Sequence, residues 1–211
     1  MKQLSELFDF KSKPSVHMMV YCALLFFMAN FLGLIASVAA VVSWAISVQR
    51  FLGITQGLGF FAGLGLLLSY LKWRGALREI HRRLADRFPK YASLIITGDE
   101  LWLLIGLSAS IAGLFIVLVL PFGFLLLLAG LSLFEQQMFL SLKLFEEKEK
   151  KFFSDLNIPC SMCFTKTYDI NYLIYSLVTF YGHSFIKIHE NLEAFECYFR
   201  VREEILKEVK S

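Results

Sequence analysis

Polar and apolar residues in this chain are separated first into long blocks and only then into helix faces. No Asp, Glu, Lys or Arg occurs from residue 16 to 48, and a second uncharged block covers residues 101–134. A hydrocarbon core about 30 Å thick is crossed by about 20 helical residues, so the first block exceeds one upright span. Gln49-Arg50, followed by Gly53, Thr55 and Gln56, predicts a tight turn there. A second span then runs to Tyr70, with Tyr70 and Trp73 as interfacial anchors. The block at 101–134 folds at Pro121-Phe122-Gly123, where Pro and Gly together are turn chemistry. Residues 101–120 form one leg, and the return leg runs from Phe122 to about Leu142. A single kinked helix, giving three spans instead of four, is the alternative.

Between the blocks, residues 72–88 place Trp73, Leu77, Ile80, Leu84 and Phe88 on one helical face. Arg74, Arg78, Arg82, Arg83 and Arg87 take the other, and Phe88-Pro89 ends the helix. Such a helix lies along a membrane surface with its cations among anionic headgroups. Gly98-Asp99-Glu100 turns the chain into the second block, with Asp99 as N-cap and Trp102 at the bilayer edge. Beyond residue 134 the pattern is amphipathic and broken at Asn157-Ile158-Pro159. A helix with one apolar face over 168–188 and a last helix over 190–210 follow, the latter lined by Leu192, Phe195, Phe199, Leu206 and Val209. An apolar stripe on such a tail calls for a partner or a membrane surface.

The predicted fold is therefore an all-α integral membrane protein: two helical hairpins (four transmembrane helices), a basic cytosolic linking helix and a helical cytosolic C-terminal tail. The divisions are an N-terminal cytosolic segment 1–15, a first hairpin 16–71, the basic linker 72–99, a second hairpin 100–142 and the tail 143–211. Ser12 and Pro14 suit a helix entrance, and the long apolar run after them is read as a retained span without a cleaved leader.

Composition supports the bilayer. Of 211 residues 57% are hydrophobic and 18% charged, and 22 are Phe; the mean hydropathy is +0.60. Charge sets the orientation. Residues 72–90 carry seven Lys and Arg against Glu79 and Asp86, and short loops with that excess stay cytosolic. Lys143, Lys148, Lys150 and Lys151 flank the second hairpin in the same way, so both termini are expected in the cytosol. A bacterial inner membrane is preferred over the endoplasmic reticulum. The net charge of +3 is small, and no nucleic-acid partner is expected.

Small residues recur at close-packing intervals: Gly53/Gly57 and Gly59/Gly63 in the second span, Gly33/Ser37 and Ala36/Ala40 in the first. In lipid, helices associate through such close backbone approach. The pairs serve either packing within one subunit or a homo-oligomer interface.

Candidate chemistry is sparse. No phosphate-cradling loop, zinc-protease motif or nucleophile elbow occurs, and His17, His81, His183 and His189 form no ligand set. No catalytic residue, metal or cofactor is assigned. Polar residues at membrane depth are functional candidates, here Asn30 and Glu135. Asn30 suits an interhelical hydrogen bond, and Glu135 suits either an embedded carboxylate in need of a partner or an interfacial charge on the helix extension. Cys160 and Cys163 form one CxxC, a redox pair or two small packing residues. With Cys22 and Cys197 elsewhere, no disulfide framework is expected. The reading is a non-enzymatic membrane scaffold, sensor or anchor subunit, in a homo-oligomer, engaging a cytosolic protein through its basic loop and amphipathic tail. A homo-oligomeric channel and a membrane thiol redox protein are the alternatives.

Overall fold

The computed structural model describes residues 16–42, 46–95, 101–117, 119–120, 123–166 and 168–208, and every regular element among them is helical. The elements are α1 (Val16–Val42), α2 (Ile46–Arg87), a 3-10 turn (Pro89–Tyr91) leading into the one-turn α3 (Ala92–Ile95), α4 (Leu101–Ile116), α5 (Gly123–Asp155), α6 (Ile170–Val178) and α7 (Gly182–Glu208). Segment 1–15, the turn at 98–100, and Pro121 and Phe122 lie outside the described residues.

Three helices are long and apolar enough to cross a membrane: His17–Ala40, Val48–Arg87 and Gly123–Asp155. Leu101–Ile116 is apolar but shorter, about 24 Å at 1.5 Å per residue. The protein is thus all-helical with at least three candidate spans. Their outward faces carry large apolar side chains, Phe61 (71% exposed), Phe115 (69%) and Val42 (83%) among them. Such a surface suits lipid and not water.

α1 and α2 pack antiparallel. A Cβ on Gly65 would touch Cys22, one on Gly59 would meet Ala29, and one on Gly33 would meet Thr55. The three pairs keep one antiparallel register. The tight turn expected at 49–56 is not there, because α2 starts at Ile46 and runs unbroken through Gly53, Thr55 and Gln56. In lipid a helix keeps its backbone hydrogen bonds, so glycine by itself does not end one.

The same helix overturns the surface-lying linker. Residues 72–87 continue α2 as one 42-residue helix, about 63 Å long and twice the hydrocarbon thickness. α5, with 33 residues, likewise runs on from an apolar first half into a charged second half. Together they form the stem of a head, which α6 and α7 complete. Trp73 does not anchor at the interface: it is buried and stacks on Phe195 at 4.3 Å and 11°. The apolar stripe of the tail is likewise not exposed. Leu192, Phe195 and Phe199 are buried against Trp73 and Phe139, so the chain is its own partner there.

The helix expected over 168–188 breaks in two. Asp169 caps α6, accepting from the N–H groups of Asn171 (3.1 Å) and Tyr172 (3.3 Å). α6 ends at a turn where Phe180 and Tyr181 have φ of 52° and 76°. These left-handed residues are held by packing: Tyr181 meets Phe26 edge-on at 5.2 Å, and its N–H donates to the Ser176 carbonyl. The turn satisfies an end-of-helix acceptor and wedges the α6–α7 corner against α1.

Candidate functional site

Two polar clusters are sealed where the stem meets the tail. The first surrounds Glu135, which is fully buried one helical position from Phe134, itself packed against Tyr70. This cluster lies next to the α6–α7 corner, where Tyr181 packs on Phe26 of α1 and Gly182 lies against Phe27. The Tyr172 hydroxyl donates to Glu135 Oε1 at 2.8 Å, and Asn191 Nδ2 reaches the same oxygen at 3.4 Å. Tyr168 in turn donates to Asn191 Oδ1 at 3.0 Å, and Gln136 donates to the Tyr168 carbonyl. Tyr70 and Tyr181 join their hydroxyls at 2.8 Å beside the carboxylate. The hydroxyls of Tyr181, Ser184 and Tyr70 face Glu135, yet its Oε2 takes no well-formed hydrogen bond from any of them. Burial, with Glu135 adjacent, pushes the Tyr172 and Tyr181 hydroxyls well above the usual phenol range. They donate hydrogen bonds and stay neutral.

The second cluster lies higher in the head and is charged. Arg202, Glu146 and Glu149 are all completely buried. Arg202 Nη2 donates to Glu149 Oε2 at 2.7 Å, and its Nη1 lies 3.1 Å from Glu146 Oε1. Glu149 also accepts from the hydroxyls of Tyr91 and, at 2.7 Å, Tyr198. Glu146 takes the N–H groups of Cys163 (2.9 Å) and Phe164 (2.7 Å), pinning the loop after Pro159 to α5. The Arg202 guanidinium stacks 3.8 Å over the Tyr198 ring, whose hydroxyl also pairs with His81 Nε2 at 2.8 Å. Burial works against the Arg202 charge, but Glu149 and its neighbours outweigh it and raise its pKa further.

Sequence reasoning named Glu135 but missed Glu146, Glu149 and Arg202. The signal was spacing. Leu142, Glu146, Glu149 and Phe153 fall on one buried face of α5, and Phe195, Phe199, Arg202 and Ile205 on one buried face of α7. Two carboxylates on one apolar stripe and an arginine on another are a buried pair in outline.

The remaining candidates fall as follows. Asn30 is buried, but its Nδ2 donates to the Phe26 carbonyl of its own helix at 2.7 Å and Oδ1 has no partner, so it does not bridge helices as expected. Ser37 likewise bonds back to Gly33. Gly59 and Gly63 pack inside the first hairpin, and Gly63 is also tight against Leu127, whereas Gly53 and Gly57 face open space. The closest approaches to backbone, which sequence reasoning overlooked, join α4 and α5 at Gly106, Gly113, Gly123 and Gly130. Arg78, Arg82, Arg83 and Arg87 are exposed and Arg74 is partly buried; Arg82 pairs with Glu79 at 2.9 Å.

Cys160 and Cys163 are not bonded to each other. Cys163 is joined to Cys197, 34 residues away, and Cys160 is a half-buried free thiol. No disulfide framework was expected, and one bridge is present: the loop after Pro159 lies back on α7, which brings Cys163 to Cys197. Burial raises the Cys160 thiol pKa, disfavouring the nucleophilic thiolate. Replacing Cys197 by serine is expected to cost about 2–4 kcal/mol, since a closed loop of this length restricts the unfolded chain. Dithiothreitol should then lower the melting temperature of the parent protein but not of the variant.

No family model, curated protein or solved structure matches this chain.

Proposed function

We propose that the protein is a non-enzymatic multi-pass membrane scaffold, sensor or anchor subunit that engages an acidic cytosolic protein surface through the arginine face of its head. The observation carrying this reading is the pinning of α2. Trp73, Leu77, Ile80 and Leu84 are buried on one side, while Arg78, Arg82, Arg83 and Arg87 are exposed. A charged face fixed on a rigid helix loses little entropy on docking. The tail contributes by holding that face in place, a different role from the direct contact its stripe suggested.

The topology that goes with this reading has four spans, α4 being the short one, and both termini on the cytosolic side with the basic segment. Its support is the excess of Lys and Arg over Asp and Glu in residues 72–90. Self-association through the open faces of Gly53 and Gly57 is part of the proposal.

The test is a triple reversal, Arg78→Glu, Arg82→Glu and Arg83→Glu, in tagged full-length protein purified in mild detergent. A co-purifying soluble protein should be lost while the melting temperature stays within a few degrees, because exposed charges contribute little to stability. A partner that stays bound in fixed stoichiometry rejects the arginine face as its site.

A further inference from the structure

A polar pocket of about 350 Å³ opens between α6 and α7 beside the Glu135 cluster. Its floor is Tyr172 and Asn191, both nearly fully buried and both hydrogen-bonded to Glu135 Oε1. The pocket opens beside the α6–α7 corner, where Phe185 stacks on Phe27 of α1 and Gly182 lies against it. Its outer lip is α6, whose Ile170 and Val178 are 61% and 70% exposed. Those side chains belong in acyl chains, and the pocket beside them belongs among headgroups.

The two walls differ in chemistry. On one, Lys166 and Lys187 converge on a single carboxylate, Glu190, at 3.2 and 3.1 Å. With Asp169 also in the lining, two ammonium groups balance two carboxylates, a set suited to a zwitterion whose phosphate meets the lysines. The other wall is aromatic: the His183 ring lies 5.1 Å from that of Tyr172 and 5.5 Å from that of Tyr175. Burial, then Lys187, holds His183 below the usual imidazole range, so it presents a neutral ring. Behind that wall stands Glu135, fully buried, with Oε2 lacking a hydrogen-bond partner. Ring faces attract an organic ammonium, and the Asp169 carboxylate lines the pocket with them.

We propose that this pocket binds a zwitterionic phosphoalkylammonium group, its phosphate at Lys166 and Lys187 and its ammonium against Tyr172, Tyr175 and His183. That chemistry occurs in a phospholipid headgroup and in free phosphoethanolamine or phosphocholine. The packing of this corner on α1, a helix long and apolar enough to cross a membrane, favours the headgroup.

The test uses full-length protein in nanodiscs of equal parts phosphatidylethanolamine and phosphatidylglycerol, released into native mass spectrometry. One retained phosphatidylethanolamine per chain is expected. Retention should fall about tenfold or more in the Lys166→Ala/Lys187→Ala and Tyr175→Ala variants. All three positions are partly or wholly exposed, so unchanged helical circular dichroism should accompany the loss. A parallel titration of detergent-solubilised protein with free phosphoethanolamine separates the sources. Binding there with no retained lipid assigns a soluble ligand to the same site. Retention of phosphatidylglycerol equal to phosphatidylethanolamine, equal retention by the variants, or no binding in either arm overturns the proposal.

Discussion

Replacing Arg202 by methionine is expected to destabilise the head by about 3–5 kcal/mol, the cost of leaving a buried ionic group without its partner. Glu146 and Glu149 would each remain fully buried, and Glu149 would keep only the hydroxyls of Tyr91 and Tyr198. The loop pinned through Cys163 and Phe164 to Glu146 would loosen with it. Denaturant titration followed by near-ultraviolet circular dichroism measures the effect, because Trp73, Phe195 and Tyr198 report head packing. The compensated variant Glu146→Gln/Glu149→Gln/Arg202→Met should recover much of the loss, since it removes the buried charges together. Failure to recover would mean that Arg202 acts through its stacking on Tyr198 and not through charge.

A comparable loss is expected from Gly113→Leu in the second hairpin. A Cβ at Gly113 would stand 2.5 Å from the Leu127 nitrogen and 2.6 Å from its Cα. At Gly130 it would stand 2.4 Å from the Ser110 nitrogen. These neighbours are backbone and cannot turn aside, so α4 and α5 must separate. The cost is at or above the roughly 1–3 kcal/mol of ordinary overpacking. α4 has only 16 residues, and without that seam it has little else to hold it. Gly113→Leu should therefore yield aggregated protein on size exclusion in mild detergent, with Gly53→Leu as the control. Nothing lies within 4 Å of a Cβ at Gly53, so the control should fold normally, and a change in its oligomeric mass would locate a subunit contact. Monodisperse Gly113→Leu protein would show that the seam can give.

Much of this architecture was legible in the chain because blocks of uncharged residues have a length, and length decides spanning. The helical character, the apolar hairpins and the break at Asn157-Ile158-Pro159 came from block boundaries. What failed were inferences about where one helix stops. Gly53 and Gln56 look like a turn in water, but α2 passes through them. Trp73 looks like an interfacial anchor, but its ring lies under Phe195. In both cases a local signal was read without the neighbour that overrode it. Of the Glu135 cluster, the carboxylate itself was visible as a lone acid near an apolar block. Tyr168, Tyr172, Tyr181 and Asn191 were not: they come from residues 168–191, and Asn191 is brought back to Tyr168 and Tyr172 by the turn at Phe180-Tyr181, whose left-handed backbone no residue type there announces. Arg202 and its carboxylates were hidden for the opposite reason: in a charged stretch, buried charges look like all the others.

α2 contains no proline between Ile46 and Arg87, the usual origin of a sharp kink, and its head end is clamped by Phe195, Phe199 and Tyr198. Mechanically it is a lever with its fulcrum in the bilayer. A tilt of about 5° around the membrane midplane would carry its arginine end sideways by roughly 3 Å, given 1.5 Å of rise per residue. Thinning or thickening of the bilayer that changes the tilt of the span would thus be felt at the arginine face without any joint bending between them.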